Sequence, residues 1–246
     1  MKKIAIYSMK GGVGKTAASV NLSYLAAQDG FNALLCDLDP QGASTYYFRI
    51  RASKNFNTNK FIKGGKHIDK NIKGTDFPNL DLLPSKLSYR NLDLALDALK
   101  NSKKRLKQIF KELEDDYDYL FMDCPPGISL ISENVFNAAD IIIVPLIPTT
   151  LSELTYEKLI KFFKKNDIDS KKIYTFFSMV ETRKTLHQET MNKIVEEGKN
   201  IFESKIPYRS DVEKMGIHRE PLPVTSPHSD STQAYKDLWK EIKSVL

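Results

Sequence analysis

Cysteine is almost missing from this chain. There are two in 246 residues, Cys36 and Cys124, and each stands beside an aspartate at the end of an apolar run. Histidine is equally sparse, with four residues and none at ligand spacing from a cysteine. A zinc centre, an iron–sulfur cluster or a redox pair therefore has no ligand set to draw on, and the two thiols read as small buried apolar groups. Long apolar runs are missing too: no stretch approaches the roughly 20 residues that cross a bilayer. No apolar leader precedes the first predicted strand, so the expected location is the cytosol. Neither an internal repeat nor a low-complexity linker is visible. At 41% hydrophobic content, 246 residues support one large core, and a single domain over 1–246 is expected.

Acid is scarce in one region. Residues 48–75 carry Arg49, Arg51, Lys54, Lys60, Lys63, Lys66, Lys70 and Lys73 against Asp69 alone, in a chain whose net charge is +6. A second basic run, Lys100, Lys103, Lys104, Arg105 and Lys107, is followed at once by Glu112, Glu114, Asp115, Asp116 and Asp118. Such clusters attract polyanions, although the second reads first as solvated surface.

What is present is a glycine-rich turn in a specific setting. Lys10-Gly11-Gly12-Val13-Gly14-Lys15-Thr16 follows an apolar segment, Ile4 to Tyr7, and precedes Ala17 to Gln28, which is apolar at helical spacing. Strand, glycine turn and helix together make a phosphate cradle: the backbone N–H groups turn inward and the helix N-terminus adds its positive end. Lys15 reaches the terminal phosphates of a nucleotide, and the Thr16 hydroxyl suits Mg²⁺. The general pattern wants glycine five residues before Gly14, where Met9 stands, and Lys10 follows it. This loop thus has a second lysine whose purpose must be found.

The rest of the chain alternates. Apolar runs at 33–38, 78–84, 119–123, 141–146, 172–178 and 201–206 read as strands, and helical periodicity fills 87–99, 103–113, 128–138, 152–165, 186–197 and the C-terminus from about Ser231. Ser152 is expected to cap its helix, with Leu154, Leu159, Phe162 and Phe163 inward. Residues 48–75 read as irregular surface with at most one short helix, and the segment around Pro221, Pro223 and Pro227 as a loop. The fold class is α/β, a P-loop nucleotide-binding fold with a mostly parallel twisted sheet and helices on both faces. Ligands in such sheets sit beyond the carboxyl ends of the strands.

Three acids end strands at that edge. Phosphoryl transfer to water needs a cradle, a metal, a group that orients the water and positive charge on the transferred group. The loop supplies the first. Thr16 with Asp123, and Asp37 beside them, are candidates for Mg²⁺. Asp39 is the candidate for orienting water, and Lys10 for the added charge. Turn chemistry is the competing role for Asp37 and Asp39.

Lys10 to Thr16, Asp37-Leu-Asp-Pro-Gln-Gly42, Pro78-Asn-Leu-Asp-Leu-Leu-Pro-Ser85 and Asp123-Cys-Pro-Pro126 stand in order over nearly the whole chain. Together they resemble the ParA/Soj branch of the deviant Walker A ATPases, relatives of MinD. The resemblance implies ATP and Mg²⁺ as cofactors, with a phosphate site over Lys10, Gly11, Gly12, Val13, Gly14, Lys15, Thr16 and Ala17. It implies catalytic roles for Lys10, Lys15 and Asp39. It also implies a homodimer in the ATP state, in which Lys10 reaches the partner's phosphates, with non-specific DNA binding and a ParB-like adaptor that stimulates hydrolysis. The location would be nucleoid-associated in the cytoplasm, and the role plasmid or chromosome partitioning. By placement, Arg183, Lys184, Arg209, Lys214 and Arg219 are the expected DNA contacts.

Two departures from the family pattern stand out: Ala17 replaces a second hydroxyl after Thr16, and Ser178-Met179 stands where an adenine-reading asparagine is common. The chain starts at its first strand, so sequence-specific operator binding is not expected. A MinD-like positioning ATPase anchored to membrane by Tyr235 to Leu246 is the alternative, although that stretch reads better as core, so no membrane contact is expected. A metabolic ligase on this scaffold would need further length, and an electron-donating reductase would need more cysteines.

Overall fold

The computed structural model describes residues 1–197 and 200–246. In chain order the elements are β1 (Lys2–Ile6), α1 (Lys15–Gln28), β2 (Ala33–Asp37), α2 (Ala43–Tyr47), α3 (Thr58–Lys63), α4 (Lys66–Asp69), β3 (Lys73–Gly74), β4 (Leu80–Leu83), α5 (Leu92–Asp97), α6 (Arg105–Lys111), β5 (Tyr119–Asp123) and α7 (Leu130–Ala138). Then follow β6 (Ile141–Leu146), α8 (Thr150–Lys165), β7 (Ile173–Val180), α9 (Thr185–Glu197), β8 (Ile201–Pro207), α10 (Ser210–His218), α11 (Leu222–Thr225) and α12 (Asp230–Ser244).

The strands form one sheet in the order β3-β4-β2-β5-β1-β6-β7-β8. Every pairing is parallel except the short edge pair β3–β4. Strands in such a sheet are buried on both faces, which is why they read as unbroken apolar runs. The period of two still sorts their side chains. Ala5, Leu120 and Met122 face one core with Phe61, Phe110, Phe136 and Phe163. Ile4, Ile6 and Phe121 face the other, with Leu22, Tyr235, Leu238 and Trp239. Cys36 and Cys124 are both buried.

The sheet places the site. β1 lies between β5 and β6, so the chain leaving Ile6 enters the crevice where sheet order reverses. The register sets Ile6 beside Asp123 and Asp37 beside Asp123. The glycine loop and both acids thereby share one edge.

Several elements differ from the sequence reading. Residues 48–57 are irregular, as read, but 58–74 are not surface coil. They form α3, α4 and β3, and Phe56, Phe61 and Ile68 sink into the core. Those apolar residues are few and separated by lysines, so no periodicity announces them. Residues 210–218, given no element in the sequence reading, form α10 around buried Met215, and Leu222–Thr225 of the expected proline-rich loop form α11. The helix after β6 starts at Thr150 and is capped by Thr149, whose side chain accepts from the Ser152 N–H. Leu154 is 46% exposed on it and does not point inward. The predicted helix at 87–99 begins as a 3-10 turn over Leu87–Asn91 before α5.

The C-terminal helix spends its apolar face on the core. Tyr235, Leu238, Trp239 and Ile242 are buried, and Trp239 Nε1 donates to Asp29 Oδ2 at 2.9 Å. Among the described residues no helix is long and apolar enough to cross a membrane. Trp239→Ala should cost about 3–5 kcal/mol of unfolding free energy, measured by urea denaturation, because it removes a packed indole and leaves a cavity. A loss below about 1 kcal/mol would mean that α12 is only loosely docked.

Candidate nucleotide site

The loop between β1 and α1 is built on two left-handed glycines, Gly12 (φ 70) and Gly14 (φ 91). Gly14 is also the residue from which α1 starts. Its left-handed backbone calls for glycine, and a Cβ there would lie 2.8 Å from Ser178 Oγ near the end of β7, so that hydroxyl would have to turn away. Ser178 is thus a wall of the loop. The following Met179 has φ 55, and the register of β7 against β8 slips nearby.

The two lysines differ in surroundings. Lys15 is 7% exposed, and its Nζ donates to the Lys10 carbonyl at 3.2 Å. Burial pulls its pKa down, while Asp123, Cys124 and Asp39 push it back up. Lys10 is half-buried, and among the described residues no carboxylate lies within ion-pair distance of its ammonium.

The acids also separate. Asp123 is buried, and its Oδ2 accepts from Ser44 Oγ at 2.7 Å. Its Oδ1 is buried with no hydrogen-bond partner. Burial raises its pKa, opposed by the hydroxyls of Ser44 and Thr16 and by the Lys15 ammonium. A buried carboxylate oxygen left unmatched beside a threonine hydroxyl fits a hard, oxygen-seeking cation such as Mg²⁺.

Asp37, a candidate for the metal, holds the turn after β2 through both oxygens. Oδ2 accepts from Thr45 N at 2.8 Å and Thr45 Oγ1 at 2.7 Å, and Oδ1 accepts from Asp39 N at 3.2 Å. Burial and the neighbouring Asp123 raise its pKa. Asp37 therefore anchors the turn, the competing role named for it above.

Asp39 is held from two sides. Its Oδ1 accepts from Gln41 N at 2.9 Å, and its carbonyl accepts from Ser85 Oγ at 2.5 Å. Ser85 N in turn donates to Thr45 Oγ1 at 2.9 Å. The negative charge of Asp39 pushes the pKa of both Lys15 and Asp123 upward. Ser44, Thr45 and Ser85 were not picked out as site residues from the sequence. The available signals were a pair of hydroxyls one residue after the Asp39-Pro-Gln-Gly turn and the place of Ser85 at the end of the Pro78–Ser85 motif.

The five basic residues expected at DNA do not form one free surface. Arg183 and Lys184 follow β7, and Arg209 follows β8, so neighbouring strands bring them to the same edge. Yet Lys184 is paired with Glu181 and Arg209 with Asp230. Arg219 is partly buried and held in a local contact. Its Nε donates to the Tyr46 carbonyl at 2.9 Å, and its guanidinium lies 4.3 Å from the Tyr46 ring centre. Arg183 and Lys214 are exposed and have no acid partner among the described residues.

With this geometry in view, the comparisons are consistent. A family model described as "AAA domain" matches residues 1–176. The sporulation initiation inhibitor protein Soj of Bacillus subtilis is 29% identical over 98% of both chains. A virulence plasmid ParA family protein of Chlamydia psittaci is 30% identical, covering 100% of this chain and 96% of its own. Among solved structures, a putative plasmid partition protein of Borrelia burgdorferi bound to AMPPNP superposes with a TM-score of 0.83 at 23% identity, over 100% of this chain and 99% of that one. The chain belongs to the ParA/MinD-type P-loop ATPases, among relatives named for chromosome and plasmid partition.

Proposed function

We propose that this chain is an ATP-timed switch in DNA partitioning. ATP with Mg²⁺ binds the glycine loop, two copies close face to face, and the homodimer holds DNA without regard to sequence. A ParB-like adaptor then speeds hydrolysis and release, in a cytoplasmic, nucleoid-associated cycle. The observation that carries this reading is Lys10. A lysine that stands ahead of the glycines, with no acid partner among the described residues, is poorly explained by its own loop, because Lys15 already serves it. A neighbour's triphosphate explains it.

Bound Mg²⁺ would neutralise charge on the transferred phosphate, and Thr16 with Asp123 would hold it. The N–H groups of Gly11 to Thr16 and the Lys15 ammonium bind and orient the phosphates. Asp39 orients the attacking water and takes up its proton, and Asp37 with Thr45 and Ser85 keeps Asp39 in place. Lys10 supplies positive charge from the opposite subunit. The buried face of α12 gives no support to a membrane-anchored variant of this scheme.

Co-sedimentation with DNA tests the proposal when run with ATP, with ADP and without nucleotide, at two salt concentrations. DNA should hold the protein only with ATP, and less at high salt. Equal binding in all three states would refute the nucleotide-timed part of the scheme.

A further inference from the structure

Residues 60–73 and 100–111 are far apart in sequence, yet the fold joins them. Arg105 closes the end of α3: its Nε donates to the Ile62 carbonyl and its Nη2 to the Lys63 carbonyl, both at 2.7 Å. Glu112 Oε2 accepts from Gly65 N at 2.8 Å. Gly64 (φ 72) and Gly65 (φ 55) make the turn between α3 and α4, and a Cβ on Gly64 would sit 3.3 Å from Ile109 Cγ1. The junction is therefore fixed, with a notch of about 380 Å³ between the two elements. Arg105 and Glu112, which look like surface charges in the sequence, are its fastenings.

The lysines around the notch are left over. On α6 the buried side is Leu106, Ile109 and Phe110; Gln108 lines the notch, and Lys104 just before the helix and Lys111 at its end are exposed at spacings that share the Gln108 side. Lys63 and Lys66 stand across it, exposed, and Lys100 precedes it. Among the described residues none of these five lysines has a carboxylate within 4.0 Å. Of the five cations expected at DNA beyond β7 and β8, Lys184 and Arg209 have acid partners and Arg219 is held on Tyr46, while Arg183 and Lys214 are exposed without an acid partner among the described residues.

We infer that the surface made by α3, α4 and α6 is a second phosphate-contacting face, which takes the backbone of duplex DNA. The inference rests on the DNA-binding reading above and gives it a location. Protein interfaces are depleted in lysine and enriched in aromatics and arginine. A surface of unpaired lysines around a shallow notch is poorly suited to a protein partner. It suits a phosphate polymer, where each ammonium acts as a point charge on a repeated anion without reading sequence. This face belongs to the core layer opposite α12.

The test uses the full chain with ATP and Mg²⁺ and a fluorescent duplex of arbitrary sequence, titrated between about 50 and 200 mM salt. The triple variant Lys63→Gln/Lys66→Gln/Lys104→Gln should bind at least about tenfold more weakly, and the slope of log affinity against log salt should fall by about two to three. Its thermal midpoint should stay within about 2 °C of the parent, since exposed lysines contribute little to stability. A second variant, Arg183→Gln/Lys214→Gln, reports on the other edge. If the triple variant keeps the parent's affinity and slope while the second loses binding, this inference is wrong and the proposed function stands. If the parent itself ignores duplex DNA in ATP, both fail. If polyglutamate binds the parent more tightly than duplex does, and the triple variant loses it, the face belongs to an acidic protein and the DNA assignment is overturned.

Discussion

Asp39→Ala should leave ATP bound and nearly unspent: the steady-state rate of phosphate release should fall by about 10²-fold or more, with little change in ATP affinity. The reason lies in how the carboxylate is held. Its carbonyl is tied to Ser85 and its amide to Asp37, while Oδ1 accepts a single N–H from Gln41. The side chain is thus positioned but keeps acceptor capacity for a water. Removing it takes away the orienting group and not the cradle, since the glycine loop and Lys15 are untouched. The ATP-bound dimer should accumulate as a consequence, and gel filtration with ATP would show it. A rate within about threefold of the parent would remove Asp39 from the chemistry and return it to turn formation.

Lys10→Ala should have the opposite signature. A single subunit should still bind ATP within a few-fold of the parent, because Lys15 and the loop N–H groups remain. Dimerisation should fail. Truncating one member of a desolvated charge pair typically costs about 2–5 kcal/mol, and two-fold symmetry makes the loss count at both nucleotides. A weakening of the dimer by at least about 10²-fold is therefore expected from ultracentrifugation with a slowly hydrolysed ATP analogue. The parent should respond to nucleotide and the variant should not. If the variant instead lost ATP binding outright, Lys10 would be a ligand of its own subunit's phosphates and the extra lysine would need another account.

The sheet and the phosphate cradle were legible because their signals are local. A parallel strand buried on both faces must be an apolar run, and β1, β2, β5 and β6 all are. A loop that points its amides inward must have glycines, and Gly12 and Gly14 take the left-handed backbone that this requires. What escaped was non-local. Thr45 and Ser85 gain their importance by meeting at Asp37 and Asp39, and a single hydroxyl in a turn has no period to reveal it. Ser178 matters because a strand end packs on Gly14. Arg219 looked like any surface arginine until α10 set it on Tyr46. The lysine-rich 48–75 segment hid Phe56, Phe61 and Ile68, whose burial depends on elements far along the chain, such as α5 and α6 packed against α3.

In the proposed scheme an amine on one subunit completes the nucleotide site of another. Light scattering measures it most directly, on Asp39→Ala and on Asp39→Ala/Lys10→Ala, each loaded with ATP and Mg²⁺. The account predicts twice the 28.1 kDa chain mass for the first and the single-chain mass for the second, with both still holding nucleotide. Equal masses for the two loaded variants would contradict it.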